Sequence, residues 1–399
     1  MPDYSLGLYT TVLDGQGEVG EITDLVTGWD RIIRINGGYW QGSFSITDQP
    51  MSILEDWLYT YLFYHIEERS GGGTTWEGYI KRMVLDKDVD PPVLDVNVCG
   101  YVRTANYRHV SVSDSADQAD VYISAILSSD CELLSAGDIA SNAMDVEQET
   151  GIPQRAWDEI KRVTDLGDTS GNLWRSYVYN GRILNYEQVS TTPLYYVRRG
   201  VSRVRDLDDL WNHIAGKYID ATNEAQDLGA SSNADSITKY GQKEYKILED
   251  NVSSTVAAAR RDTFLNEYQW SYPRPMFGGG EMEIVADDGT DMVKSPWSMK
   301  PGVYRDMQYP VGGSRSSAWL SDRRDFIVDE VRVNADRGVT LSTKFMLQSD
   351  VLKAQARRYA GSGGDSDTGE NRGKQFNKEH ELWDPNADPA AKKWLREHL

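Results

Sequence analysis

The sequence has few of the residues that build covalent cross-links and metal sites. It contains two cysteines and five scattered histidines in 399 residues. The two cysteines, Cys99 and Cys131, are too few and too isolated for a disulfide framework or a zinc site, and no His-Glu-x-x-His spacing occurs. A chain of this length buries about three quarters of its unfolded surface without such cross-links. We therefore expect no metal, no cofactor and assembly in a reducing cytoplasm. The histidines are His65, His109, His213, His380 and His398.

Long apolar runs and a leader pattern are also missing. No stretch of about eighteen apolar residues occurs, and the first residues lack the basic and apolar regions of a signal peptide. These absences predict a soluble protein that is not exported by the usual route. Positive charge is scarce too, with 42 basic against 62 acidic residues and a formal charge of −20. That balance argues against a specific nucleic-acid binder and suits a surface that DNA slides past, although solubility alone explains the same charge.

The usual enzyme signatures are absent as well. There is no Gly-x-Ser-x-Gly elbow and no phosphate-binding Gly-x-x-x-x-Gly-Lys loop. Glu67 with Glu68, and Glu147 with Glu149, are close in sequence, but closeness does not identify a glycosidase pair. The acidic run 287–291 lacks the order of an EF-hand, so a turn is favoured over a calcium site. We expect no catalytic residue, and two alternatives stay open: a cell-wall hydrolase or peptidase, and a carbohydrate-binding or receptor-binding module.

The chain instead has many aromatic residues in short alternating runs. Twelve Trp and 23 Tyr beside only seven Phe suit half-buried strands and protein interfaces. Residues 1–105 alternate in short segments separated by Gly and Pro, which predicts a first small β-barrel. Within it, 50–66 fits either a helical turn followed by a strand or one longer helix. We favour the helical turn and strand.

Residues 106–192 change to a mixed pattern that predicts an α+β domain. A first helix is expected after a cap at Asp117. A second helix is expected from a first turn at Pro153 to a stop at Gly167. The run 177–184 contains an Asn-Gly pair, which predicts a hairpin with a two-residue turn. The apolar stripe of the second predicted helix is formed by Ala156, Trp157, Ile160 and Val163.

Residues 193–360 return to a strand pattern and predict a second small barrel. Its strands include 194–204 and 210–219, with 222–233 as a loop. At 234–272 the pattern is interrupted by a polar turn and a helix that ends in aromatic and proline residues. We interpret this segment as a structural bracket between the barrels, with an ordinary inter-domain helix as the alternative. Its residues are Ser236, Ile237, Tyr240, Gly241, Glu244, Phe264, Leu265 and Pro273.

The composition shifts again past residue 360. The run 361–375 is rich in Gly, Ser, Asp and Asn, which predicts a flexible linker. Residues 376–399 are expected to form a helical tail that docks on another protein, and a disordered terminus is the alternative. The docking residues predicted for this tail are Trp383, Trp394, Leu395 and Leu399.

Three stretches resemble the tail-hub proteins of bacteriophages. The first contains Ser236, Ile237, Tyr240, Gly241 and Glu244, and continues into an Ala-rich helix at 257–268 and Pro273. The other two are 206–214 and Trp76-Glu77-Gly78-Tyr79-Ile80. The family includes late control protein D, contractile-phage baseplate hubs and minor tail proteins of long-tailed phages. The fold class expected is mainly β with α+β insertions: two small hub-type β-barrels, an α+β domain and a C-terminal tail.

This resemblance implies a non-enzymatic virion protein at the tail tip, assembled in the host cytoplasm. It implies a homotrimer whose six barrels adapt a sixfold tail tube to a threefold tip and form part of the DNA channel. The partners implied are the tail tube or distal tail protein, and a tail fibre, spike or other tip protein. Genomic DNA passes without specific binding, and no membrane-spanning segment is expected.

Overall fold

The structure is a computed structural model of the 399-residue chain. It describes residues 4–112, 117–146, 154–168, 172–204, 207, 210–219, 225–249, 254–270, 274–277, 283–286, 296–307, 325–335 and 338–344. Over these residues the chain is mainly β, with 22 strands and five α-helices. The predicted fold class, mainly β with α+β insertions, is confirmed. The division into two barrels and the predicted domain limits stay predictions.

One sheet of fifteen strands dominates the described chain. Its N-terminal members are β1 (Ser5–Tyr9), β2 (Glu18–Glu21), β3 (Val26–Arg34), β4 (Gly37–Ile46), β5 (His65–Ser70), β6 (Gly73–Asp86) and β7 (Val93–Cys99). They pair antiparallel in the order β3-β4-β7-β6-β5-β1-β2. Alternation along these strands places Leu6, Ile66, Ile80 and Val96 in one fully buried core.

A short helix, α1 (Met51–Thr60), lies between β4 and β5. Leu54 and Trp57 bury its inner face in the same core. Phe63 has a positive φ of 69°, which is incompatible with a right-handed helix, so the helix cannot continue through this residue. β5 starts at His65. The predicted order of helix and strand in 50–66 is therefore confirmed. The helix is longer than the predicted turn, and only the last two residues of the strand predicted at 59–66 belong to β5.

The middle of the chain packs two helices against a hairpin. Its elements are β8 (Asp117–Gln118), α2 (Ala119–Asp130), β9 (Ser135–Ile139), β10 (Asp145–Val146), α3 (Ala156–Leu166), β11 (Trp174–Val178) and β12 (Ile183–Gln188). β11 pairs antiparallel with β12 and parallel with β4, which attaches this region to the large sheet. Gly38 permits that contact, because a Cβ there would lie 2.2 Å from the Val178 carbonyl oxygen.

Three details of this region differ from the sequence prediction. α2 begins at Ala119 after Gln118, so Asp117 is not its cap residue. α3 begins after Arg155, and the first turn predicted at Pro153 lies outside the described residues. Strand pairing in the hairpin ends at Val178 and Leu184, so the turn is longer than two residues. Positive φ falls on Gly181 and Arg182, not on Asn180. The predicted stripe of α3, Ala156, Trp157, Ile160 and Val163, is buried.

The C-terminal part completes the large sheet and adds two smaller sheets. Its elements are β13 (Tyr195–Arg199), β14 (Val201–Val204), β15 (His213–Ile219), β16 (Ala225–Ser232), α4 (Ala234–Tyr240), β17 (Glu244–Glu249), α5 (Ser254–Tyr268), β18 (Arg274–Phe277), β19 (Glu283–Ala286), β20 (Gly302–Asp306), β21 (Asp325–Asn334) and β22 (Gly338–Lys344). The path β19-β13-β20-β21 joins the N-terminal strands through β21 and β3. None of the helices within the described ranges is both long and apolar enough to cross a bilayer.

One prediction for 210–233 is confirmed and one is wrong. The strand predicted at 210–219 is β15, which pairs with β16 and β17 in a three-stranded sheet separate from the large one. Residues 222–233, expected as a loop, contain β16. The strand was missed because its residues are small or polar, and its conformation is fixed by pairing with β15 more than by its own propensity.

Candidate functional site

Most of the segment predicted as a bracket, 234–272, lies in a small unit with its own sheet and core, which we call the inserted module (residues 210–270). β15 lies between β16, which is antiparallel to it, and β17, which is parallel. The chain enters along β14 and leaves along β18, and these strands pair antiparallel from Val201–Phe277 to Val204–Arg274. The inserted module is therefore held on a two-stranded stem.

α5 and the three strands share an apolar core. Its buried members are Ile214, Ile247, Phe264, Leu265 and Tyr268. The Phe264 ring stacks on Tyr245, with centroids 4.8 Å apart. Two residues predicted for the bracket, Phe264 and Leu265, are thus core residues of the inserted module, and their burial holds α5 on the sheet.

A buried asparagine connects three elements of the inserted module. The Asn212 side-chain nitrogen donates to the Gly241 carbonyl at 2.8 Å and to the Ser236 hydroxyl at 3.2 Å. Its side-chain oxygen accepts the backbone N–H of Lys243 at 2.7 Å. One side chain therefore ties the start of β15 to α4 and to the start of β17, and its hydrogen bonds offset the cost of burying an amide.

Both ends of α4 are fixed by side chains or backbone geometry. Asn233 caps the helix, because its Oδ1 accepts the Ser236 N–H at 2.9 Å. The buried Ser236 hydroxyl donates to the Gln269 carbonyl just past α5. At the other end Gly241 has φ 76° and donates its N–H to the Ile237 carbonyl at 2.8 Å. This left-handed φ favours glycine.

The remaining predicted residues have peripheral positions or are not described. The Tyr240 ring meets Trp270 edge to face at 6.2 Å, and exposed Glu244 lies 3.6 Å from Lys246. Pro273, the tail residues Trp383, Trp394, Leu395 and Leu399, and the acidic run 287–291 lie outside the described residues. The structure thus gathers most of the predicted bracket residues in one unit, while their role as a bracket between barrels stays a prediction.

The sequence analysis missed the importance of Asn212. A signal was present, because one amide stands in the otherwise apolar and aromatic run 210–214. A polar side chain in such a strand pattern indicates a buried hydrogen-bonding position.

The two halves of the large sheet meet where β3 pairs with β21, a contact we call the seam. Arg332 binds the Asp30 carboxylate through Nε at 2.9 Å and Nη2 at 2.8 Å, and Asn334 donates to it at 3.0 Å. Arg34 Nε lies 2.8 Å from Glu330 Oε2. Opposite charges on facing strands stabilise this register and disfavour others.

A buried ion pair adjoins the seam. Arg31 in β3 and Glu68 in β5 are both fully buried, with Nε 3.0 Å from Oε2. The Nε–H does not point at the carboxylate, so this contact is ionic without a hydrogen bond. Arg31 also donates to the Trp297 carbonyl, and the Trp29 indole donates to Glu68. Burial lowers the pKa of Arg31 and raises the pKa of Glu68, because both charges leave water.

Other buried titratable groups serve packing. His65 Nδ1 lies 2.8 Å from the Tyr101 hydroxyl, and burial lowers the pKa of His65 to about 4. Burial raises the pKa of the Cys131 thiol to about 12 and also raises the pKa of Cys99. Such thiols are protonated at neutral pH and are poor nucleophiles. Across the part of the chain that the structure describes, no cluster of three or more His, Cys, Asp or Glu is placed to hold a metal ion.

Comparison with known proteins finds relatives by structure. No family model matches the chain, and no curated protein matches its sequence. The prophage tail protein gp18 of Listeria monocytogenes is 13% identical with a TM-score of 0.52, covering 90% of this chain and 99% of that one. A tail protein of Neisseria meningitidis is 8% identical with a TM-score of 0.54, covering 88% and 99%. The 43 kDa tail protein of prophage MuSo2 from Shewanella oneidensis is 9% identical with a TM-score of 0.53, covering 88% and 98%. At these identities the likeness establishes the fold, and the chain has the fold of prophage tail proteins.

Proposed function

We propose that the chain is a non-enzymatic structural protein of a phage tail tip, a hub or baseplate component of the virion. The observation that carries this proposal is the extent of the shared fold, which covers 88% to 90% of this chain and 98% to 99% of each neighbouring structure. A likeness over nearly all of both chains supports, by fold analogy, a similar structural role better than a match to one shared domain would. The buried histidine and thiols described above fit a packing role.

The finer proposal is a homotrimer. At the two ends of the large sheet, β2 and β19 each have a single partner strand among the described residues. Open strand edges are templates for pairing with another chain, and symmetric assembly covers them. Three copies would then close around a channel, and their six barrels would adapt a sixfold tail tube to a threefold tip. This arrangement includes the predicted barrels at 1–105 and 193–360.

The proposed partners follow from the place of such a ring. The tail tube or distal tail protein lies on one side and a fibre, spike or other tip protein on the other, with 376–399 as a docking tail. The chain carries a formal charge of −20, and a lumen of like charge lets genomic DNA pass without binding. We expect mainly Asp, Glu and small polar side chains along the channel; a lysine-rich lumen would contradict the channel.

Electron microscopy of the purified chain tests the proposal. We expect ring-shaped particles with threefold symmetry and a central channel. The same preparation, assayed on cell-wall material and on a glycan panel, should neither degrade the first nor bind the second. A monomer that hydrolyses cell wall would assign the chain to the hydrolases, and a monomer that binds glycans would assign it to the receptor-binding modules.

A further inference from the structure

A cleft of about 230 Å³ opens where the N-terminal strands meet the α+β region. Apolar side chains of Leu13, Phe63 and Tyr107 contribute to its wall. Asp130 and Glu132 also line it. We call it the Leu13 cleft, and none of its lining residues belongs to the inserted module or to the seam.

The exposed apolar groups of the Leu13 cleft stand on fixed backbone. Leu13 is 74% exposed on a short turn in which the Thr11 hydroxyl accepts the Asp14 N–H at 3.2 Å. Tyr107 is 57% exposed, while its hydroxyl donates to the Tyr79 hydroxyl at 2.8 Å. Apolar side chains held rigidly in water around one concavity are typical of a contact site.

Phe63 adds backbone strain at the same place. Its φ of 69° is rare for a bulky residue. Its N–H is held by the Ile80 carbonyl at 2.8 Å, and its ring packs on Tyr79 with centroids 4.9 Å apart. Such strain persists where the surrounding structure enforces it, and it concentrates at ligand-binding positions.

The charged residues that line the Leu13 cleft are acidic on balance. The buried Asp130 carboxylate accepts the Ser111 N–H at 2.9 Å and the Ser111 hydroxyl at 2.6 Å. Glu132 lies 2.6 Å from Arg108, and both side chains are more than half exposed. Two carboxylates and one guanidinium give the lining one net negative charge. The matching ligand is a large apolar side chain flanked by basic residues.

We propose that the Leu13 cleft binds the C-terminal segment of this chain, with Trp394 or Leu395 against Leu13. That segment reads Lys392-Lys393-Trp394-Leu395-Arg396, an apolar pair between basic residues. About fifty residues separate Trp394 from the end of β22, and the linker predicted at 361–375 gives such a chain a root-mean-square reach of about 40 Å. The proposal requires the cleft, on the same copy or on a neighbouring one, to lie within that distance of the end of β22. Docking of the tail on another tail-tip protein, as expected from the sequence, is the opposite outcome of the tests below.

Cysteine cross-linking in the full-length chain tests this inference directly. The pair Leu13→Cys and Leu395→Cys is compared with the pair Tyr59→Cys and Leu395→Cys, since Tyr59 is 81% exposed and does not line the cleft. The native cysteines are buried. Under mild oxidation we expect the first pair to form a disulfide about tenfold faster, within or between chains, because docking raises the local thiol concentration. Equal rates would overturn the proposal.

A second measurement uses the native tail and does not depend on the proposed function. Leu13→Ser removes an exposed apolar side chain without adding charge, so the fold is retained, and Val89→Ser is the control because Val89 is 43% exposed elsewhere. We expect trypsin to cut after Lys393 about tenfold faster in Leu13→Ser than in the wild type or the control. Equal cleavage in all three, or protection only after another tail-tip protein is added, would refute the proposal and leave the trimer untouched.

Discussion

The seam and the inserted module hold strands together by different chemistry. At the seam, Asp30 and Arg332 are 302 residues apart in sequence and meet as an ion pair, with the buried pair of Arg31 and Glu68 beside them. In the inserted module, close neighbours in sequence are tied by one uncharged side chain, Asn212. A buried charge is costly once its partner is lost, whereas a buried amide needs only hydrogen bonds. Removing one partner should therefore lower the free energy of unfolding more at the ion pairs of the seam than at Asn212 in the inserted module.

The largest effect is expected at the buried ion pair. Glu68→Ala leaves the Arg31 charge fully buried without its carboxylate partner, and we expect the free energy of unfolding to fall by about 3–5 kcal/mol. Chemical denaturation measures this loss. Glu55→Ala is the matched control, because it removes an exposed carboxylate 2.6 Å from Lys87 and should change little. If both variants lose the same stability, the buried pair has no special role.

The next effect is a dependence on pH at His65, which lies in β5, the same strand as Glu68. The pKa of His65 is about 4 in the folded chain, against an ordinary value of 6.5. The unfolded chain binds this proton more tightly, so the His65 contribution is complete above pH 6.5 and is lost as the pH falls towards 4. Compared with His65→Gln, the wild type should lose about 3 kcal/mol more across this range.

Denaturation at several pH values measures that difference between wild type and His65→Gln. The comparison is needed because Glu68 and Glu77 have a raised pKa and act in the opposite sense. Both glutamates are present in the wild type and in His65→Gln, so their contributions to the pH dependence cancel in the difference between the two. Parallel stability curves for the two chains would show that the burial of His65 does not perturb its titration.

A smaller, local effect is expected in the inserted module. Asn212→Ala leaves Ser236, Gly241 and Lys243 without their partner, at a cost of about 1–3 kcal/mol. Hydrogen exchange should quicken in β15 and β17 and stay unchanged in β3 and β21. Exposed Gln242→Ala in the same turn is the control. Faster exchange at the seam in Asn212→Ala would mean that the two regions unfold together.

The last effect, no larger than that of Asn212→Ala, separates backbone conformation from packing. Gly241→Ala places a Cβ in open space at φ 76° and ψ 164°, a backbone region that is essentially restricted to glycine, so we expect only a backbone cost of about 1–3 kcal/mol. Gly73→Ala also meets open space but has no left-handed φ, and it should be close to neutral. Thermal unfolding of the two variants checks this, and an equally stable Gly241→Ala chain would argue against the left-handed turn.

Local patterns predicted much of the fold because their information lies in neighbouring residues. The stripe of α3 and the helix-then-strand order at 50–66 are examples. β16 was missed because its small and polar residues carry no strand signal of their own. The seam was also missed, since the register between β3 and β21 depends on residues about three hundred positions apart. Hydrophobic periodicity describes one continuous segment, so it gives no information on which distant strands pair.

The candidate site was predictable to a similar degree. Ser236, Phe264 and Leu265 lie in one continuous segment, and the structure places all of them in the inserted module. Asn212 precedes that segment, and its role depends on three elements that meet only in the fold. The stem was also not predictable from the sequence, because β14 and β18 are separated by the whole inserted module and come together only in the fold.

One deletion tests most directly whether the large sheet is the body of the protein and the module an insertion on it. Since Val204 pairs with Arg274, residues 205–273 can be replaced by an Asn-Gly turn that closes β14 on β18. Hydrogen exchange at β3 and β21 is then compared with that of the full chain. We predict that both strands keep the same protection from hydrogen exchange as in the full chain. Loss of protection at the seam would contradict it and favour the bracket predicted from the sequence.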